Sequence, residues 1–404
     1  MNRPRPSPFS AHWSLDPDVV FLNHGSFGAC PLPVLSYQSR FRARMERGPV
    51  QFLVRDLGPL LDEARNALAR FVGSDPDDIA FVRNATTGVN TVLRSLTFRP
   101  GDELLTTTHE YNASRNALDF VADRSGATVR VVDIPFPIDS EDEVVEAVVE
   151  ALTSRTRLGL FDHVTSLTGM VLPIRRLAAA LSERGVDTLV DGAHAPGMLA
   201  LDIEELGVAY YTGNCHKWLC APKGAAFLWV RPDRQERVRP LVISHGANAK
   251  LEGRSRFRVE FDWTGTWDPS AYLSVPRALA FMGSLLPGGW NELMERNRSL
   301  ALHARRILTE ALDAPVACPD SMVGALAAVP LGSGPYHFDT TALAFDPMEE
   351  VLRDRYRVEV PVLACPSGPA GILRVSAQIY NTPEQYAYLA DAVSDIRSTG
   401  ISAT

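Results

Sequence analysis

Two polar groups in this sequence stand where a parallel sheet presents side chains to a ligand. In VDTLVDGAHAPG (Val186 to Gly197), an apolar run predicts a strand that ends at Asp191. Twenty-six residues later, Lys217 follows a second short apolar run in AYYTGNCHKW. That spacing fits one strand–helix–strand step, and ligands bind beyond the carboxyl ends of parallel strands. Asp191 and Lys217 are therefore predicted to reach one crevice; the alternatives are a solvated aspartate and a surface lysine.

The lysine content singles out Lys217. Only three of the 40 basic residues are lysines, at positions 217, 223 and 250. In a chain that uses arginine nearly everywhere else, a lysine indicates a position that requires an amine. Beside Trp218, such an amine would be partly desolvated and its pKa lowered, which suits Schiff-base chemistry.

Two further segments add an anion site and an aromatic side chain. In FVRNATTGVNTVL, Ala85, Thr86 and Thr87 open a predicted helix directly after a strand, where backbone N–H groups and hydroxyls bind anions. A simple threonine N-cap is the alternative. Tyr111 follows the predicted strand ELLTT, and its ring would either stack on a planar ligand or pack in the core.

An anion cradle, an aromatic ring, a carboxylate and a lysine at the strand ends of one sheet form a combination that suits pyridoxal phosphate. This cofactor needs an amine for its aldehyde and an anion near its pyridinium nitrogen, which keeps the ring an electron sink.

The elements that must position these residues alternate between Ile79 and Val230. Short apolar runs separated by amphipathic segments predict parallel βαβ units, and hence an α/β fold with a mostly parallel seven-stranded sheet. The predicted strands are IAFV, ELLTT, TVRVV, RLGLFDHV, DTLVD, AYYTG and AAFLWV.

Around this sheet we predict three parts. These are an N-terminal segment (residues 1–20), a large domain (21–270) and a smaller α+β C-terminal domain (271–404). In the large domain a helical stretch is predicted from Pro33 to Phe71, with interruptions near Gly48–Pro49 and Gly58–Pro59, and residues 244–270 are predicted to be irregular. In the C-terminal domain the predicted helices are 271–286, 290–311, 347–356 and 383–397, and the predicted strands are 326–331, 340–345 and 372–377.

Composition excludes several classes of function. With 48 acidic and 40 basic side chains the net charge is −8, which argues against a nucleic-acid surface. No apolar run has signal-peptide or membrane-spanning length, so a cytoplasmic protein without membrane contact is expected. The five cysteines, at positions 30, 215, 220, 318 and 365, form no CxxC pair, which predicts reduced thiols and no metal site.

Together these motifs resemble the class V aminotransferase superfamily of fold-type I pyridoxal-phosphate enzymes, and in particular its isopenicillin-N-epimerase-like branch. The likeness extends from about Val19 to Ile396. It rests on FLNHGSFGACP, RNATTGVN, HVTSLTG, VDGAHAPG, CHKWLCAPKG, TGT and LRVSAQIYNTPEQ.

The resemblance implies a role for each matching residue. Lys217 would carry the internal aldimine and shuttle the Cα proton, Asp191 would pair with the pyridinium nitrogen, and His194 would lie near the phenolic oxygen. Arg374 would bind the substrate carboxylate, for which a bidentate fork is well suited; the alternative is an interdomain ion pair. The other implied cofactor-binding residues are Ala85, Thr86, Thr87, Tyr111, Ser166, Asn214, His216 and Thr266, and the implied substrate neighbours are Asn23 and His24.

The resemblance also implies a partner and a reaction. Thr266 matches a threonine that reaches the phosphate of the neighbouring subunit, so a homodimer is expected. The substrate is expected to be an amino acid, as a small-molecule partner, that reacts at Cα through a quinonoid. Epimerisation or racemisation is the first choice, C–S lysis the alternative and transamination the third; a non-catalytic homologue is disfavoured because Lys217 and Asp191 are both present.

Several other residues of chemically active types have plainer interpretations. Cys365, nine residues before Arg374, is interpreted mainly as a loop or packing thiol, with a desulfurase-like catalytic cysteine as the alternative. Cys215, Cys220 and Lys223 are interpreted as structural residues. The arginines at positions 254, 256 and 258 are interpreted as a solvated or dimer-interface face, with recognition of an acidic substrate as the alternative.

Overall fold

The computed structural model describes residues 3–250, 252–332, 346–364 and 371–399. The strands are β1 Val20–Phe21, β2 Ile79–Val82, β3 Glu103–Thr107, β4 Thr128–Val132, β5 Thr156–Asp162, β6 Asp187–Asp191, β7 Tyr210–Asn214, β8 Ala226–Val230, β9 Leu326–Pro330, β10 Val358–Glu359, β11 Val362–Ala364 and β12 Gly371–Ser376. The helices are α1 His24–Phe27, α2 Leu32–Arg47, α3 Leu57–Val72, α4 Ala85–Ser95, α5 Asn112–Ser125, α6 Glu141–Ala151, α7 Ile174–Ser182, α8 Arg256–Asp262, α9 Ser270–Leu273, α10 Val275–Gly283, α11 Gly289–Leu312, α12 Pro347–Tyr356 and α13 Pro383–Thr399.

A seven-stranded sheet forms the centre of the described chain, in the order β2-β8-β7-β6-β5-β3-β4. All seven predicted strands are present. β8 runs antiparallel to both of its neighbours, whereas the other pairs are parallel, so the predicted mostly parallel α/β sheet is confirmed. The inner strands are buried along nearly their whole length because helices cover both faces, and only the edge strand β4 is largely exposed.

A three-stranded antiparallel sheet, in the order β11-β12-β9, forms the core of the C-terminal part together with α11 and α13. The predicted strands at 326–331 and 372–377 and the predicted C-terminal helices correspond to elements of this part. The predicted strand at 340–345 lies outside the described residues.

The N-terminal strand joins the two parts of the chain. β1 pairs in parallel with β10, so Val20 and Phe21 lie beside Val358 and Glu359 and not in the central sheet. Helices α9 and α10 in turn pack on α2 and α3. The domain division at residue 270 stays a prediction, because elements before and after this residue pack against each other.

Two local predictions need correction. The helical stretch breaks at Gly48 as predicted, but it continues through Gly58 and Pro59, because a π-helical segment, Gln51–Asp56, leads directly into α3. The segment 244–270 is not wholly irregular, because it contains α8, whose first turn is capped by the Ser255 hydroxyl. Among the helices of the described ranges, none has the length and apolar character of a membrane span.

Candidate active site

The carboxyl ends of three adjacent parallel strands bring the predicted residues together. Asp162 ends β5, Asp191 ends β6 and Asn214 ends β7, and Asp162 lies directly opposite Asp191 in the strand register. Lys217 follows Asn214 by three residues, in the turn that leads toward β8. Asp191 and Lys217 therefore meet at one edge of the sheet, as the strand spacing predicts.

A hydrogen-bonded chain fixes the Lys217 amine. The Trp218 indole N–H donates to His194 Nδ1 at 3.3 Å, and His194 Nε2 lies 3.0 Å from Lys217 Nζ. Because Nδ1 accepts from Trp218, the proton of a neutral imidazole lies on Nε2 and points at the amine. Burial keeps the imidazole neutral, since it lowers the pKa of His194 well below 6.5.

The amine itself is easily deprotonated. Burial, followed by the charge of Arg374, lowers the pKa of Lys217 from 10.5 to about 8, against the opposing effects of Asp191 and Asp162. A neutral Lys217 Nζ can accept the His194 N–H and has a lone pair for attack on a carbonyl. The predicted pKa-lowered lysine beside Trp218 is what the structure shows.

Asp191 is a buried carboxyl group with two donors. The Ser114 hydroxyl donates to Oδ2 at 2.8 Å and the Ala193 N–H donates to Oδ1 at 3.0 Å. Burial raises the pKa of Asp191, although both donors and Lys217 oppose that effect. Within the described residues it forms no ion pair, so the cationic pyridinium nitrogen of pyridoxal phosphate would supply the counter-charge that this group lacks.

The N-terminus of α4 differs from the predicted anion cradle in one respect. The Asn84 side chain caps the helix by accepting from the Thr87 N–H at 2.8 Å and from the Thr87 hydroxyl at 2.9 Å. Asn214 Oδ1 accepts the Ala85 N–H at 2.9 Å. Three of the donors assigned to a phosphate are thus bonded inside the protein, and a bound phosphate would compete with Asn84 and Asn214. Thr86 lies between Ala85 and Thr87 in the sequence and is half-buried, and its contact with the phosphate stays a prediction.

His216 lies beside the same loop. Its Nδ1–H donates to the Ala225 carbonyl at 2.9 Å, and burial lowers its pKa to about 4. Its cofactor-binding role, like that of Asn214, stays a prediction.

Arg374 is a buried cation on β12. Its guanidinium donates to the Ser166 carbonyl, to the Ser26 hydroxyl at 2.8 Å and to Asn23 Oδ1 at 3.4 Å. Nε has no partner among the described residues, and no carboxylate there pairs with the guanidinium. The interdomain ion pair considered above is therefore absent from the described chain, and a buried cation with a free donor is suited to a carboxylate ligand.

The same contacts locate Ser166 and Asn23. Ser166 accepts a hydrogen bond from Arg374 at its carbonyl, which places it beside the arginine; its predicted contact with the cofactor stays a prediction. Asn23 Oδ1 also accepts from Arg374, and its predicted position beside the substrate stays a prediction.

His24 lies behind the lysine. Its ring is fully buried, with one nitrogen 2.7 Å from the Tyr380 hydroxyl and the other 3.1 Å from the Lys217 carbonyl. Gly28 touches the same loop, because a Cβ at this residue would lie 2.1 Å from the His216 carbonyl oxygen. The N-terminal motif thus positions the lysine turn, and the substrate contact expected for His24 stays a prediction.

Tyr111 directly precedes α5, and 42% of its surface is exposed. No other ring packs on it in the described part of the chain, so one face is free to stack on a ligand. Thr266 is exposed at a bend after α8, and its contact with a neighbouring subunit stays a prediction.

The remaining candidates have structural surroundings. Cys215 and Cys220 are fully buried, and Lys223 Nζ donates to the Gly28 carbonyl at 2.8 Å. Cys365 lies outside the described residues. The three arginines of the 254–258 cluster all have carboxylate partners within the chain, which argues against recognition of an acidic substrate; these partners are Asp62, Asp77, Glu260 and Asp262.

Some site residues were not identified from the sequence. Ser114, Asn84 and Ser26 are ordinary polar residues whose partners lie far away in the chain or one turn along it, so no local pattern distinguishes them. Asp162 has a signal in the sequence, since it is an acidic residue at the end of an apolar run, whereas Glu110 follows β3 by three residues and has none.

Comparisons with known proteins agree with this geometry. An isopenicillin N epimerase from Amycolatopsis lactamdurans is 40% identical to this chain, over 95% of this chain and 96% of its own length. An isopenicillin N epimerase from Streptomyces clavuligerus is 37% identical, over 94% of this chain and 95% of its own length. A probable chloroplastic L-cysteine desulfhydrase from Arabidopsis thaliana is 32% identical over 98% of this chain and 86% of its own.

Solved structures support the fold. A mutant of the protein C-DES with glycine covalently linked to its PLP cofactor superposes with a TM-score of 0.81 at 22% identity, covering 96% of this chain and all of that one. The predicted fold-type I architecture is thereby confirmed.

The sequence model of the aminotransferase class-V family matches residues 36–389. Enzymes of this family use pyridoxal phosphate, which confirms the predicted class of cofactor, and the resemblance to the epimerase branch is confirmed by the two epimerases. The chain belongs to the class V aminotransferase family.

Proposed function

We propose that this chain is a pyridoxal-phosphate enzyme that moves a proton at Cα of an amino acid, with epimerisation or racemisation as its reaction. The observation that carries this proposal is the Lys217 amine, 3.0 Å from neutral His194 and with its pKa lowered to about 8. An amine in this state takes and returns a proton near neutral pH.

The residues present fit the cofactor. When bound, pyridoxal phosphate supplies an aldehyde that condenses with amines and a ring that accepts the electron pair left when Cα loses a proton. Asp191 would hold the protonated ring nitrogen, and Tyr111 would cover one face of the ring. Thr86, Thr87 and His216 would hold the phosphate at the start of α4.

Arg374 would fix the substrate by its α-carboxylate. A bidentate guanidinium–carboxylate pair sets direction as well as distance, so it would orient the Cα–H bond toward Lys217. Ser26, Asn23 and the Ser166 carbonyl hold the guanidinium in place before the substrate arrives. Lys217 would then remove the Cα proton.

Epimerisation is preferred because the relatives at 40% and 37% identity are isopenicillin N epimerases. C–S lysis is the second candidate, supported by the cysteine desulfhydrase at 32% identity. Transamination is the third. We further propose a homodimer in which Thr266 contacts the neighbouring site.

Incubation of the holoenzyme with a panel of amino acids in deuterated water distinguishes the candidates. Cα deuteration with inversion supports epimerisation, pyruvate formation supports C–S lysis, and conversion of the cofactor to its pyridoxamine form supports transamination. A Lys217→Arg variant serves as the control, because it keeps a cation but removes the amine; it should lose all three outcomes. Exchange at an undiminished rate in that variant would contradict the role of Lys217.

A further inference from the structure

Three buried carboxyl groups meet behind the crevice. Glu110, Asp162 and Asp191 each place an oxygen within 4.8 Å of the others, and none is more than 6% exposed. Asp191 is assigned to the ring nitrogen of the cofactor; Glu110 and Asp162 have no role in the function proposed above.

The two extra carboxyl groups differ in their partners. Glu110 accepts hydrogen bonds on both oxygens, from the Thr106 hydroxyl at 3.1 Å and from the Tyr111 N–H at 3.2 Å. Asp162 Oδ2 is buried and has no partner among the described residues. The Tyr111 N–H, which donates to Glu110, also lies near enough to Asp162 to lower its pKa, against the larger effect of burial.

Few cations are available to balance three negative charges here. Among the described residues, the charged or titratable groups that act on the three carboxyl groups are Lys217, Arg115, Tyr111 and Tyr211, and His163 lies next to Asp162 with its Nδ1 2.9 Å from the Tyr211 hydroxyl. Burial raises the pKa of both Glu110 and Asp162, and the neighbouring carboxylates raise them further. Like charges at this separation in a desolvated site do not all ionise.

We propose that Glu110 and Asp162 form a proton-sharing pair in which Asp162 Oδ2 carries the proton and Glu110 carries the charge. The donors around Glu110 stabilise its ionised form, whereas a proton on Asp162 Oδ2 gives that oxygen a hydrogen bond to donate. Glu110 is thereby a positioning residue that acts through Asp191.

This inference rests on the proposed function in one respect. A fixed negative charge on Glu110, behind Asp191, would raise the proton affinity of the ring nitrogen of a bound cofactor, and so would help Asp191 to keep that ring an electron acceptor. The location of the proton itself needs no cofactor.

Infrared difference spectroscopy at neutral pH tests the location of the proton, with and without cofactor. Asp162→Asn should remove one protonated-carboxyl band, because its amide replaces the donor. Glu110→Gln should keep that band, displaced in frequency. Glu103→Gln, at the opposite end of β3, also removes a buried carboxylate and should leave the band unchanged.

A pH titration of the holoenzyme absorbance tests the charge. Glu110→Gln should lower the midpoint of the cofactor transition by about one pH unit, because a negative charge is lost. Asp162→Asn should leave the midpoint in place. Three results would each overturn the assignment. The first is loss of the band in Glu110→Gln but not in Asp162→Asn. The second is a lowered midpoint in both variants, and the third is a reduced band with an unchanged midpoint in both variants. If no cofactor binds, the proposed function fails while the infrared result still stands.

Discussion

Replacing Lys217 by methionine in the cofactor-free protein should raise the free energy of unfolding at pH 7. Burial, followed by the Arg374 charge, lowers the pKa of Lys217 from 10.5 to about 8, so the folded protein holds the lysine proton less tightly than the unfolded chain does. A difference of about 2.5 pH units corresponds to about 3 kcal/mol. Methionine fills a similar volume without a charge and removes that cost.

The sign of this effect follows from proton binding. Between pH 8 and 10.5 the unfolded chain binds a proton on Lys217 that the folded chain has released, so the stability of the wild type rises with pH across this window. The advantage of the variant should be full below pH 8 and should vanish above pH 10.5. Urea unfolding at a series of pH values measures it.

Lys250→Met is the matched control, because Lys250 is exposed; its stability should change by less than about 0.5 kcal/mol. The reasoning is refuted if Lys217→Met is no more stable than the wild type at pH 7. A gain of equal size at pH 7 and above pH 10.5 would also refute it, since packing and not charge would then be the cause.

Three further predictions concern neighbouring residues. Arg374→Ala should weaken amino-acid binding by about 100-fold through loss of a charged fork, with poor recovery in Arg374→Lys; titration of the cofactor spectrum measures this, and unchanged affinity would contradict it. Gly28→Ala should cost more than about 2 kcal/mol, since its φ is 70° and its Cβ would overlap the His216 carbonyl; urea unfolding tests this, and wild-type stability would count against it. Trp218→Phe should release the fixed His194 tautomer, visible as averaged ring-nitrogen NMR shifts; a spectrum like that of the wild type would show that the indole does not set the tautomer.

The central sheet could be predicted because its strands are short apolar runs, as expected for a sheet buried on both faces. The reversed direction of β8 was not predicted, although a signal exists. Residues 215–225 contain no helical pattern, and a parallel return to the same sheet requires a long crossover. Helix α8 has only seven residues, so its buried apolar pair Phe257 and Phe261, four residues apart, is too short a pattern to predict a helix.

Lys217 and Asp191 could be predicted as site residues because an amine and a carboxylate follow the ends of two predicted strands. Their orientation could not, because it depends on partners far away in the chain. Ser114 donates to Asp191 across 77 residues, and Ser26 accepts from Arg374 across 348. Hydroxyl groups of this kind occur throughout the sequence, and only the fold selects those that matter.

Borohydride reduction followed by peptide mapping tests the central claim most directly. Reduction makes the bond between an amine and the cofactor aldehyde permanent, and this chain has only the three lysines at 217, 223 and 250. The account predicts the reduced cofactor on the peptide that contains Lys217 and on no other, with loss of the label in Lys217→Met. A label on Lys223 or Lys250, or protein that retains no cofactor after reduction, would contradict it.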